Sequence, residues 1–339
     1  LSGVDQYTLV QNKLQPGLYQ VALGADGGAA YVTSAFGPPE QAGLLKVDAR
    51  TLDIADGTTP PASDTWGQER KEGERTPPPV YSIFGAAADP VGHTIWVSNT
   101  VNDTAAVYRQ GDLSLLRQFD AGLVPHARAV EVDGERGKAY VAAFGTGQIA
   151  VFDTRTLQHV KDIAIESKQD GQEFGAIGLT LDAAAGTLYV ASMKSPEVAS
   201  ISTSDDTVQA VWPLEVGSLR DLAWDAKAGR LLGADYGGDS LVVVDPANGE
   251  VVHRVNVGAS PLAVTWEPVS GHAFVANRGA GTVAVVDAGA GKRVANLAIG
   301  SFPNHLVADG KGSVYVVNKS QGPDDARGDM ITRIAQKGD

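Results

Sequence analysis

Short apolar runs, each cut off by Gly, Pro, Asn or Asp, follow one another along nearly the whole chain. The pattern is clearest between residues 261 and 300. Pro261-Leu-Ala-Val-Thr-Trp266 predicts a strand, and Val269-Ser-Gly-His272 turns it. Ala273-Phe-Val-Ala-Asn-Arg278 predicts a second strand and Thr282-Val-Ala-Val-Val-Asp287 a third, with a Gly279-Ala-Gly281 loop between them. Gly289-Ala-Gly291 then turns the chain into a fourth strand from Arg293 to Gly300. Short β-branched runs bounded by Gly and Pro are the mark of antiparallel strands.

This unit repeats. The second strand carries an aromatic residue or Leu at Tyr31, Trp96, Tyr140, Tyr189, Leu232, Phe274 and Tyr315, at gaps of 65, 44, 49, 43, 42 and 41 residues. Third strands often close on Asp, as at Asp48, Asp153, Asp245 and Asp287. A four-stranded unit recurring at about 42 residues cannot bury both faces alone and needs its neighbours. Seven anchors therefore predict an all-β, seven-bladed β-propeller with four antiparallel strands per blade, in one domain over residues 1–339. The seventh unit lacks a fourth strand after Met330 to Ala335. Asp5-Gln-Tyr-Thr-Leu-Val-Gln-Asn12 precedes the first unit and is expected to fill that place, which removes two open sheet edges.

The long segments all fall on one side. In such a blade the first-to-second and third-to-fourth turns share one face; the remaining connections share the other, the top. Bottom turns are short, as at Ala25-Asp-Gly-Gly28 and Asp309-Gly-Lys-Gly312. Residues 56–79, 166–174, 37–43 and 319–329 extend top connections. Loops this long are functional or solvated excursions, and Trp66 within 56–79 is a candidate cover for the channel mouth.

Composition narrows the function classes. No run of eighteen apolar residues occurs, so no membrane-spanning helix is expected. No basic start precedes an apolar stretch, so any export signal has been removed or never existed, and Leu1-Ser2 with no initiator Met favours removal or an engineered start. The absence of Cys excludes disulfides, thiolate metal sites and a Cys nucleophile. A formal charge of −13 opposes a phosphate backbone at long range.

Aligning the repeats gives two sets of top-face positions. At the top of each innermost strand stand Tyr19, Phe84, Arg128, Ile177, Arg220, Leu262 and Asn304. Just past each second strand stand Ala35, Thr100, Phe144, Met193, Tyr236, Arg278 and Lys319, with Lys194, His126 and His305 close by. Guanidinium groups in a recess suit bidentate capture of carboxylate or phosphate. Tyr19, Phe84, Phe144 and Tyr236 offer stacking surface. The alternative is that each Arg pairs with a neighbouring blade's Asp or a backbone carbonyl. Acids at the same level include Asp221 and Asp235. No metal site or cofactor is expected, because no carboxylate spacing completes a ligand set around the histidines. No G-x-S-x-G elbow, H-E-x-x-H pair or phosphate loop occurs.

Trp96-Val-Ser-Asn-Thr-Val-Asn102, Phe274 to Asp287, and Ser301-Phe-Pro-Asn-His-Leu306 with Tyr315-Val-Val-Asn318 resemble the YncE-like propellers of the YVTN-repeat group. The resemblance runs over all seven repeats. It implies an exported, periplasmic propeller associated with TonB-dependent outer-membrane uptake, with single-stranded DNA binding and no established enzymatic activity. It implies site roles for Asn99, Asn102, Arg278 and Asn304.

Three functions compete. The first is a non-enzymatic binding propeller, expected to be monomeric, whose top face takes an anionic small molecule or a protein partner. Its ligand-binding residues would be Tyr19, Phe84, Asn99, His126, Arg128, Phe144, Lys194, Arg220, Tyr236, Arg278, Asn304, His305 and Lys319. The second is single-stranded DNA binding. The third is a lactonase or quinoprotein-type enzyme, for which His126, His305 and Asp235 are the acid–base candidates.

Overall fold

The computed structural model describes residues 3–64 and 79–337. They form seven four-stranded antiparallel sheets, with no α-helix and two single 3-10 turns at Val4–Gln6 and Thr100–Asn102. The fold is the seven-bladed β-propeller that the repeat predicts. The chain divides into two compact units, Gln15–Ala164 and Leu1–Leu14 with Ile165–Asp339. The first unit holds blades one to three and the second holds blades four to seven.

Local chemistry fixes each hairpin. In blades two, three, four, five and seven an Asp near the end of the first strand accepts backbone N–H groups of the turn that follows, as Asp225 does from Lys227 and Ala228. The third-to-fourth turn works the same way. Asp48 accepts from Arg50 and Thr51, and Asp153 from Arg155 and Thr156, which hold both carboxyls below the usual carboxylate range. The fourth residue after these acids is left-handed, Leu52 at φ 66° and Leu157 at φ 54°, and its N–H returns to the Asp carbonyl. Glycine takes that position at Gly249 and Gly291, where no Cβ penalty arises.

The second strand of every blade is buried from its second residue to its last. The seven anchors from Tyr31 to Tyr315 each stand third in that strand. Within each unit the core lies between neighbouring blades. Trp96, Phe119 and Phe152 join blades two and three with ring centroids 4.6–6.1 Å apart. Val283, Val285 and Leu306 help join blades six and seven. Fourth strands are largely exposed.

The N-terminal strand closes blade seven, as expected. It runs Tyr7–Lys13, after the Val4–Gln6 turn, and pairs along its full length with Met330–Gln336. Tyr7 packs edge-on to Phe274, centroids 6.1 Å apart. The 56–79 segment starts later than expected, because the fourth strand of blade one is Ile54–Thr58. The root of the excursion is a short antiparallel ladder in which Ala62 faces Val80. Trp66 lies outside the described residues.

Removing residues 1–12 is expected to leave Met330–Gln336 as an open edge and to strip Tyr7 from the core, a loss of about 3 kcal/mol from that ring alone. Calorimetry should show the melting temperature falling by more than about 5 °C.

Candidate ligand-binding site

In six of the seven blades the pairing of first and second strands slips near its start. The slipped residues include Tyr19, Arg128, Ile177, Arg220, Leu262 and Asn304, the same positions that repeat alignment selects. A bulge re-aims its side chain away from the regular pleat. Strain accompanies it, since Gly17, His126, Ser260 and Phe302, each two residues ahead, have φ between 45° and 88°. For His126 and Phe302 that conformation carries a steric cost. The residue just past the second strand donates its N–H back to the carbonyl two residues ahead of the bulge, as Tyr236 does to Ser218 and Lys319 to Phe302. The two sets of positions are thereby brought side by side within a blade.

Blades one to three gather five of the expected residues. Tyr19 and Phe84 meet edge-on at 5.1 Å, and Phe36 meets them at 6.3 and 5.3 Å. The Arg128 guanidinium donates to the Tyr19 hydroxyl at 3.3 Å and lies 2.7 Å from His126 Nε2. Arginine can only donate, so His126 accepts through Nε2 and carries its proton on Nδ1. Phe144 closes the other side, 5.8 Å from the Arg128 guanidinium and 5.5 Å from the His126 ring. Thr33 Oγ1 donates to the Phe84 carbonyl and Thr100 Oγ1 to the Ala127 carbonyl, both at 2.6 Å, so blade one holds the approach to blade two's first strand and blade two holds the bulge of blade three. Gly85 is required between them. A Cβ there would lie 2.6 Å from the Arg128 carbonyl oxygen and 2.7 Å from Ser98 Oγ.

Blades four to seven carry two further cation–ring pairs. Arg220 lies 4.6 Å from the Tyr236 ring, and Arg278 lies 4.7 Å from the Phe302 ring. Arg278 also donates to Asn304 Oδ1 at 3.0 Å. Lys194 is exposed and forms an ion pair with Glu173 of the 166–174 connection at 2.9 Å. His305 is half-buried on the first strand of blade seven, opposite Val317, and Lys319 is half-buried just past the second strand. Among the described residues no carboxylate comes within ion-pair distance of Arg128 or Arg278.

Three candidates have other duties. Asn99 is fully buried; its amide donates to the Tyr81 and Ser82 carbonyls, and its oxygen accepts from Gln118. Asn102, also buried, donates to Ser63 Oγ at 2.9 Å. The Asn99–Asn102 segment therefore holds the root of the excursion between blades one and two. Asp235 is likewise buried, accepting from the Gly217, Ser218 and Gly238 amides and from Arg254 at 3.0 Å, so its carboxylate is a clamp rather than an open base. Phe36 and Phe302 are the residues that sequence reasoning missed. Phe302 had a signal, because alignment places it level with His126; Phe36 sits in a loop that no other repeat shares.

Among the described residues no three His, Asp or Glu side chains gather as a metal site, and no helix is long and apolar enough to cross a membrane. No family model matches the chain, so the likeness to YncE-like propellers rests on the repeat motifs alone. No curated protein matches either. Among solved structures, hydrazine synthase of Kuenenia stuttgartiensis is similar with a TM-score of 0.71 at 15% identity, over 91% of this chain and 94% of that one. With 1618 solved chains matching, the likeness supports the propeller and selects no activity.

Glu131, three residues beyond Arg128, is half-buried, and burial followed by repulsion from Asp133 pushes its carboxyl up to about 7. Below its unfolded pKa near 4.5 the acid is protonated in both states; as pH rises through 7 the folded state loses stability. Glu131→Gln should therefore stabilise the protein by on the order of 2 kcal/mol at pH 8. Paired denaturant melts at pH 4 and pH 8 should show that gain at pH 8 and none at pH 4.

Proposed function

We propose that the protein is a non-enzymatic binding propeller that holds an anionic ligand on guanidinium groups at the loop-bearing ends of its blades. One observation carries the reading. Arg128 and Arg278 are each set against an aromatic ring with no carboxylate in range among the described residues, in a chain whose formal charge is −13. An acidic protein has carboxylates to spare for its arginines, so two left unpaired at bulged or loop positions favour a charge supplied from outside. A carboxylate or phosphate meets a guanidinium through two parallel N–H donors, which also sets its orientation. The groups at these positions are donors and rings. Asp235, the one candidate carboxylate base, is consumed by backbone amides. An exported protein serving TonB-dependent uptake is the setting that the family resemblance adds to this reading.

The test is titration calorimetry with acetate, succinate, benzoate and inorganic phosphate at low ionic strength. At least one of these anions should bind, and Arg128→Glu or Arg278→Glu, made singly, should weaken it more than about 10-fold, as expected when a charge-assisted contact becomes repulsive. Undiminished affinity in both variants would dispose of the reading.

A further inference from the structure

Resting on that anion-binding reading, we infer that the cluster in blades one to three is a site for a planar aromatic carboxylate, with the carboxylate on Arg128 and the ring against Phe36. Phe36 is 52% exposed, unusual for a side chain backed by two other rings. It is not a loose loop residue. Its loop is tied down by Ala35 N–H to the Gly17 carbonyl at 2.9 Å and by Gln41 Nε2 to the Pro16 carbonyl at 2.8 Å and Ser34 Oγ at 2.9 Å. Gln15 Nε2 adds a bond to the Ala42 carbonyl at 2.5 Å. An exposed ring held this firmly is prepaid surface for stacking, because little freedom remains to be lost when a ligand lies on it. Buried Phe84 forms the floor beneath it.

The charged end is equally prepared. Arg128 has five N–H donors, and among the described residues its protein acceptors are the Tyr19 hydroxyl and His126 Nε2. Those two bonds sit on different terminal nitrogens, Nη1 and Nη2, and each nitrogen keeps one N–H for a carboxylate. Tyr19 links the two halves, since its hydroxyl meets Arg128 while its ring packs against Phe36 and Phe84. Anion and ring are thus a single side chain apart, which matches a carboxylate attached directly to a flat ring system.

The experiment is calorimetric titration of the full chain with 1-naphthoate and with cyclohexanecarboxylate, which has the same charge and no π-face. Naphthoate should bind at least about 10-fold more tightly, and Arg128→Ala should abolish the difference by removing the anchor. Phe36→Ala and Phe36→Leu should each weaken naphthoate by about 3- to 10-fold, the range expected for one aromatic contact, and leave the melting temperature unchanged. Phe36→Trp should retain the affinity. Equal affinity for the two acids, or naphthoate binding indifferent to Phe36→Ala and Phe36→Leu, would overturn the aromatic assignment and leave the anion-binding reading standing. Failure of every anion to bind the unmodified protein would remove both.

Discussion

A buried polar side chain at the last position of the second strand holds the loop-bearing end of the blade in six of the seven repeats. Ser34, Asn99, Ser192, Asp235, Asn277 and Asn318 are all at most 5% exposed, and each makes hydrogen bonds to the backbone of the connections around it. The requirement is general. A strand buried along its length delivers the chain into a loop whose first carbonyls and amides have no ladder partner, and an unpaired buried group costs about 1–3 kcal/mol. One side chain that reaches two or three of them settles the debt locally. Asn318, for example, donates to both the Ser301 and Arg327 carbonyls and accepts from the Met330 amide.

Everything on the loop-bearing side is referenced to those clamps. With the ends of the second strands fixed, the neighbouring first strands bulge near their starts, and in blades one, three and five the bulge includes Tyr19, Arg128 or Arg220. The contrast between the two levels is chemical as well as geometric. The clamps are neutral amides, hydroxyls or a fully satisfied acid, whereas Arg128, Arg220 and Arg278 beyond them are cations against rings. The lower level spends its polarity on the protein's own backbone; at the upper level Arg128 and Arg278 meet rings and neutral acceptors.

The fold was legible because a repeat reports itself. Seven anchors at near-equal spacing needed no knowledge of contacts, and the missing fourth strand after Ala335 pointed to Asp5–Asn12 as its replacement. The site was legible only in outline. Aligned positions predicted which side chains stand at the same height, and a constant spacing of sixteen residues put Arg128 with Phe144 and Arg220 with Tyr236. Contacts between different blades, such as Tyr19 to Arg128 or Arg278 to Phe302, follow from twist and loop shape, which spacing does not encode. The backbone partners of Asn99 and Asp235 escape spacing for a related reason. A polar residue at a strand end reads the same whether it faces a ligand or the backbone behind it, and only the partner decides.

The strand that closes blade seven also sets the order in which the molecule can be made. Gln11 and Thr332 meet across 321 residues, so the N-terminal strand leaves the ribosome long before its partner exists. At about 5–20 residues per second, roughly 15–60 s separate the synthesis of the two strands. During that interval an apolar edge with Tyr7 on it is available to any passing chain. Closing so long a loop costs roughly 5 kcal/mol in chain entropy, which the seven paired residues and the Tyr7–Phe274 contact must repay at once. The final sheet is therefore a checkpoint on the whole chain: a product that ends early leaves the Tyr7–Lys13 strand without the partner it needs.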